Sequence, residues 1–225
     1  LGSVLMRSAG CIVNDILDRK FDKKVFRTKN RPIASGKISV SLGLIYASTL
    51  CLLAFLVLIN FNYFTIIIAL ASMPLAFTYP LMKRFTYWPQ LFLGVTFNYG
   101  LILGWTSINP EINLIPLIFY CGAIFWTLGY DTIYGFQDIK DDEIIGLKST
   151  SIKFKSNPYV FLFICYSIFF FVLLVTGYLM ELNKYYFVLS VLIFLQLFFY
   201  QIKKLNIKKP LVCLEIFKSN NLMGL

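Results

Sequence analysis

Apolar runs of roughly 20 residues, separated by short bursts of charge, constrain this chain more than any other feature, because that is the length a helix needs to cross a bilayer. They fall at about 1–17, 38–59, 64–82, 91–108, 114–136, 159–180 and 185–202. The expectation is therefore all-α: a multi-pass transmembrane helical bundle with about seven helices present. Composition agrees, since 58% of the residues are hydrophobic, only 14% are charged and the mean hydropathy is +0.73. The connections at 60–63 and 181–184 are short enough for tight turns between antiparallel neighbours. The long polar ones run from Asp18 to Lys37 and from Gln137 to Pro158.

A formal net charge of +10 raises the question of nucleic acid, and the placement of the charge answers it against that class. When connections are assigned alternately to the two faces of the bilayer, 19 of the 21 Lys and Arg residues gather on one face. Only Lys184 lies opposite, and Arg7 sits inside the first apolar segment. This asymmetry is the signature of the cytoplasmic side or its topological equivalent. The expected location is a bacterial inner membrane, with a mitochondrial inner membrane as the alternative. The chain opens at Leu1 and closes on residues 220–225, which read as the approach to another helix. One domain over residues 1–225, continuing at both ends, is the expected organisation.

The five cysteines are too scattered for a zinc site or a disulfide framework. There is no histidine, so a bound metal should be a hard, oxygen-seeking ion. Oxygen ligands occur in two clusters on the basic face. In the first, Asn14, Asp18 and Asp22 follow an i, i+4, i+8 spacing that stacks them on one side of a helix, with Asp15 adjacent. In the second, Asp138 and Asp142 repeat the spacing beside Asp141 and Glu143, and Asp131 lies a turn or two deeper toward the membrane. A solvated helix end is the ordinary explanation of one acidic cluster. Here, however, eight of the 11 acidic residues belong to these two regions. Asp131 also stands among Tyr130, Ile133 and Tyr134, where a lone carboxylate costs about 2.5–3.5 kcal/mol on insertion scales.

Two such clusters facing one another would form a cage for Mg²⁺. Carboxylates alone repel a phosphate, by roughly 4 kcal/mol per unit pair at about 4 Å and an effective dielectric near 20, so bridging cations are needed to reverse the sign. Arg19, Arg27, Lys83, Arg84 and Lys148, with Lys20 and Arg31 nearby, are candidates for the remaining phosphate oxygens.

These residues resemble the UbiA superfamily of intramembrane prenyltransferases, and within it the 4-hydroxybenzoate polyprenyltransferases. The first motif stands as Asn14, Asp15, Asp18 and Asp22, followed by a loop from Arg27 to Gly36 that is similar to that family's. The second stands as Asp138 and Asp142 after Gly129-Tyr130-Asp131-Thr132-Ile133-Tyr134. Tyr79 and Lys83 match a Tyr-x-x-x-Lys element between them. The resemblance implies nine helices in the whole protein. It also implies that Asn14, Asp18, Asp22, Asp138 and Asp142 hold Mg²⁺ against a polyprenyl diphosphate, with 4-hydroxybenzoate as acceptor in ubiquinone synthesis. Tyr79, Tyr130 and Tyr134 are candidates for the substrate pocket, and Asp131, a water or the released diphosphate for taking up the ring proton. The competing readings are a sister enzyme acting on another quinone precursor, a chlorophyll precursor or haem, and a cation transporter. Transporters place their ions near the midplane among broken helices, whereas these acids sit at one surface.

Overall fold

The computed structural model describes residues 1–25 and 27–223. The described residues form helices joined by loops and turns, with no strand. Helix α1 spans Gly2–Asp22, α2 Val40–Leu58 and α3 Tyr63–Thr78. A 3₁₀ turn, Tyr79–Leu81, then leads into the short α4, Met82–Phe85. Helices α5, Pro89–Ile108, and α6, Leu114–Gly135, are followed by the short α7, Ile139–Ile145, and α8, Thr150–Lys153. The long α9, Pro158–Leu179, and α10, Lys184–Phe194, come next, with α10 running into a π-helical stretch, Leu195–Ile202. Helix α11, Pro210–Ser219, is followed by a last 3₁₀ turn, Asn220–Leu222.

Among the described residues, six helices are long and apolar enough to cross a membrane. Helix α1 falls outside that set because it carries Arg7 and the first acidic cluster, yet it packs along α2 as the seventh. Gly2 faces Val57 and Gly43 faces Ile16, so the two helices run antiparallel. The protein is thus a multi-pass membrane protein. Outward Leu44, Ile45, Leu52 and Leu56 on α2 are exposed, the orientation expected when the surrounding solvent is lipid.

Buriedness decides which helices are central. In α2 and in the span Lys184–Ile202 only 17% of the apolar stretch is buried, against 39% in α6 and α9. The core lies between α6 and α9, around Leu128, Ile133, Leu162, Tyr166 and Phe169. Small residues let these helices approach closely. A Cβ added at Gly129 would stand 2.4 Å from Cε1 of the fully buried Tyr166 ring. Gly129→Ala should therefore lower the thermal midpoint of the purified protein, by an overpacking cost of about 1–3 kcal/mol. Gly10→Ala, with nothing within 4 Å, serves as the unaffected control; equal midpoints for the two variants would refute this packing account.

Local chemistry explains the helix boundaries. Ser39, Asn62, Asn113 and Asn183 cap helix starts by accepting a backbone N–H, and Pro89 and Pro158 begin helices where a missing N–H costs nothing. Pro74 lies inside α3, and Thr78 Oγ1 donates to the Pro74 carbonyl at 2.6 Å. The 3₁₀ turn containing Pro80 follows, and it delivers Lys83 and Arg84 to the basic face.

Helix α1 runs past the apolar segment to Asp22, so Asn14, Asp18 and Asp22 share one helix as their spacing predicts. The second acidic cluster, by contrast, does not continue the helix of the fifth apolar segment. Instead α6 stops at Gly135 and a turn intervenes, with Asp138 preceding a separate helix α7. The one-turn relation survives because Asp142 N–H donates to the Asp138 carbonyl at 2.9 Å. Helix α7 ends on Gly146 at φ 79°, a left-handed conformation that glycine adopts without a Cβ clash.

Candidate active site at the basic face

The tip of α1 buries two of its carboxylates. Asp18 is 2% exposed and Asp22 6%. Burying an ionised carboxylate is costly unless it is paired, and each has a cation. Lys83 Nζ donates to Asp18 Oδ2 at 2.5 Å. Arg31 Nη1 donates to Asp22 Oδ2 at 3.1 Å and to Asp15 Oδ1 at 2.9 Å. Burial pushes the Asp18 carboxyl above its ordinary range, and the adjacent Lys83 opposes that shift. Asn14 lies one turn earlier on the same side of α1.

The second cluster is reached from the first loop. Arg27 donates through Nε and Nη2 to the Asp138 carboxylate, at 3.0 Å and 2.5 Å, and through Nη1 to the Tyr134 hydroxyl at 2.9 Å. This paired, fork-like contact spans 111 residues of sequence. The hydrogen bond to Asp138 raises the Arg27 pKa further. Burial, and then the neighbouring Asp138, push the Asp142 carboxyl up to about 6. Asp142 also feels Lys83 and Arg27, while Arg27 feels Asp22. Arg27 and Lys83 thus stand between the clusters, each bonded to one carboxylate group and within electrostatic range of the other.

The remaining predicted residues take distinct places. Arg84 Nη2 donates to the Leu17 carbonyl at 2.7 Å and lies 3.7 Å from Asp18 Oδ1. Lys148 Nζ donates to the Phe85 carbonyl, and the Lys148 backbone N–H to the Lys83 carbonyl. Arg19 turns to the other side of α1, where it lines a separate cavity. Asp141 and Glu143 are carried by α7, and Lys155 pairs with Glu143.

Deeper in the bundle, half-buried Asp131 lies on α6 with Tyr130 and Tyr134. Phe217 of α11 packs against both tyrosine rings, 4.4 Å from Tyr134 and 5.8 Å from Tyr130 between centroids. Arg7 of α1 is close enough to Asp131, Tyr79 and Tyr130 to act on all three electrostatically. The sequence reading did not include Arg7 in the site. Its signal was present: a basic residue within an apolar segment, opposite in sign to the lone Asp131 in another, is expected to find a partner inside the bundle. Phe217 carried no comparable signal among so many aromatics.

The donor set suits a hard divalent cation. Among the described residues Asp18 Oδ1 is buried and accepts no hydrogen bond, and Arg27 and Lys83 link the α1 carboxylates electrostatically to those at the start of α7. Among the described residues no three acidic groups are already gathered at metal-binding spacing. The carboxylates are instead closed on Lys83, Arg31 and Arg27. An incoming anionic ligand can draw those same cations to itself and free the carboxylate oxygens for a metal.

The sequence profile of the UbiA prenyltransferase family matches residues 1–222. The mitochondrial 4-hydroxybenzoate polyprenyltransferase of Rattus norvegicus is 51% identical over 157 residues, which cover 69% of this chain and 42% of that protein. The chain therefore spans less than half the length of that relative. A UbiA homolog from Aeropyrum pernix K1, 20% identical, superposes with a TM-score of 0.77 over 96% of this chain and 86% of that one. A UbiA homolog from Archaeoglobus fulgidus bound to GPP and Mg²⁺, 18% identical, gives 0.71 over 98% and 84%. At these identities the two structures establish the shared fold.

Proposed function

We propose, from the premise that this chain belongs to the UbiA prenyltransferase family, that it carries the active site of a 4-hydroxybenzoate polyprenyltransferase. Such an enzyme moves a polyprenyl chain from its diphosphate to the acceptor ring in ubiquinone biosynthesis. The observation that carries the reading is the meeting of the two carboxylate clusters through Arg27 and Lys83. The 51% identity to the rat enzyme supports the choice of acceptor.

Asn14, Asp18, Asp22, Asp138 and Asp142 would hold Mg²⁺, which when bound supplies positive charge against the diphosphate oxygens. Arg27 and Lys83, with Arg84 and Lys148 beside them, give up part of their carboxylate pairing to bind the remaining oxygens. They favour the negative charge that grows on the leaving group as its bond to the allylic carbon breaks. The electron-rich ring carbon next to the acceptor hydroxyl then forms the new carbon–carbon bond. The products are the prenylated ring, free diphosphate and the proton that the ring carbon loses. Asp131, on the membrane side of Asp138 along the chain, would take that proton. Tyr79, Tyr130 and Tyr134 would line the substrate pocket, with Phe217 packed against the last two, and their π faces suit a cationic allylic group. The mitochondrial relative supports a mitochondrial inner membrane, with the basic face toward the matrix.

Product mass spectrometry tests the reading. Membranes bearing the full-length protein are incubated with a polyprenyl diphosphate and 4-hydroxybenzoate, with Mg²⁺ or with a chelator. A ring-prenylated product that vanishes on chelation is expected. Prenylation of a different acceptor with 4-hydroxybenzoate left untouched would reject the assignment, as would cation uptake without any prenylated product.

A further inference from the structure

We infer that the reverse side of the α1 tip binds the headgroup of an anionic phospholipid. A cavity of about 580 Å³ opens there on the basic face. Arg19, Lys20, Lys24 and Arg84 line it together with apolar Ile16, Leu17, Phe21 and Val40, and no carboxylate does. At about 100° per residue, Asn14, Asp18 and Asp22 drift by only about 40° per step, while Lys20 and Ile16 project from nearly the opposite side of the helix and Lys24 follows in the turn after it. The cavity and the carboxylate site are therefore back to back on α1.

Charge and shape identify the occupant. No ion pair among the described residues engages Arg19, Lys20 or Lys24, and Arg84 Nε is buried without an acceptor. Arg19, Lys20 and Lys24, gathered around one cavity without an ion-pair partner among the described residues, repel one another until an anion joins them. The apolar lining separates a lipid from a free phosphate. A small inorganic anion makes no use of Leu17, Phe21 and Val40, whereas a glycerol backbone and the first acyl carbons would cover them. The position at a helix end on the basic face puts the cations at headgroup level, where basic pockets between helices attract acidic lipids.

Arg84 belongs to both sides of the helix. Its guanidinium lies 5.1 Å from the Phe21 ring centroid, donates to the Leu17 carbonyl and stands 3.7 Å from Asp18. A headgroup held here braces α1 against α4, and with it the pairing of Asp18 to Lys83. The inference stands on the cavity and its charges, independently of the prenyl-transfer reading.

Native mass spectrometry of the full-length protein reads the site directly. The protein is released from detergent with phosphatidylglycerol or with phosphatidylcholine of identical acyl chains. Phosphatidylglycerol adducts should survive activation that strips phosphatidylcholine, and the K20Q/K24Q double variant should lose them by about tenfold or more. The K20R/K24R variant, which keeps both charges, should retain them, so that a loss of fold is told apart from a loss of charge. Equal retention of the two lipids, or undiminished phosphatidylglycerol binding by K20Q/K24Q, overturns the inference. Displacement of the lipid by inorganic pyrophosphate with Mg²⁺ overturns it as well, because the cavity would then be an annex of the diphosphate site.

Discussion

Asp18→Asn is expected to reduce prenyl transfer by at least about 10²-fold while the bundle stays folded, in line with the loss from removing one group that acts on developing charge. The amide preserves the size of the side chain and can still accept from Lys83, so the α1 tip keeps its packing. What disappears is the negative charge, and with it the buried Oδ1 that no donor among the described residues satisfies. Asp138→Asn should behave alike from the other helix, since its carboxylate is the one that Arg27 grips. The effects of the two substitutions should combine less than additively, because losing either cluster disables the same site. Gel filtration and thermal midpoints in detergent report folding, and product formation reports activity. A folded Asp18→Asn protein with turnover close to the parent would remove the α1 carboxylate from the mechanism.

Arg27→Ala carries the second large expectation. The side chain makes a fork on Asp138, a hydrogen bond to Tyr134 and a contact over the Tyr134 ring with 5.3 Å to the centroid. Its loss leaves Asp138 without that cation and removes a group that can turn toward the diphosphate. A fall in kcat/KM of about 10²-fold is expected, with the KM for polyprenyl diphosphate raised and that for 4-hydroxybenzoate little changed. Arg27→Lys should recover only part, because a lysine ammonium keeps the charge but cannot hold carboxylate and hydroxyl together in a planar fork. If Arg27→Ala instead lowers stability and leaves both KM values unmoved, the residue is a structural tie between the loop and α6, and its proposed contact with substrate is wrong.

The two predictions rest on parts of the molecule that were unequally legible. Segment length and the one-sided gathering of Lys and Arg were enough to place the helices, to group the polar connections on one face, and to put Asp18 and Asp138 on that face. The i, i+4 spacing of Asn14, Asp18 and Asp22 needed only the helical repeat. All of these are local or compositional properties, and a linear sequence states them directly. Other features depended on pairings between distant residues. Nothing local to Arg27 shows that it reaches Asp138, and nothing in the segment lengths shows that α6 stops at Gly135 so that Asp138 begins a new helix. The 3₁₀ turn at Tyr79–Leu81 sets where Lys83 meets Asp18, and the packing of α11 sets where Phe217 meets Tyr134. Arg7 and Asp131 were each visible as an isolated charge in an apolar run, but their proximity is a property of how α1 and α6 converge. By itself the sequence determined a membrane bundle with two acidic clusters on one face. Only the tertiary structure decided that the clusters meet, because cations from separate segments must be brought between them to offset their mutual repulsion.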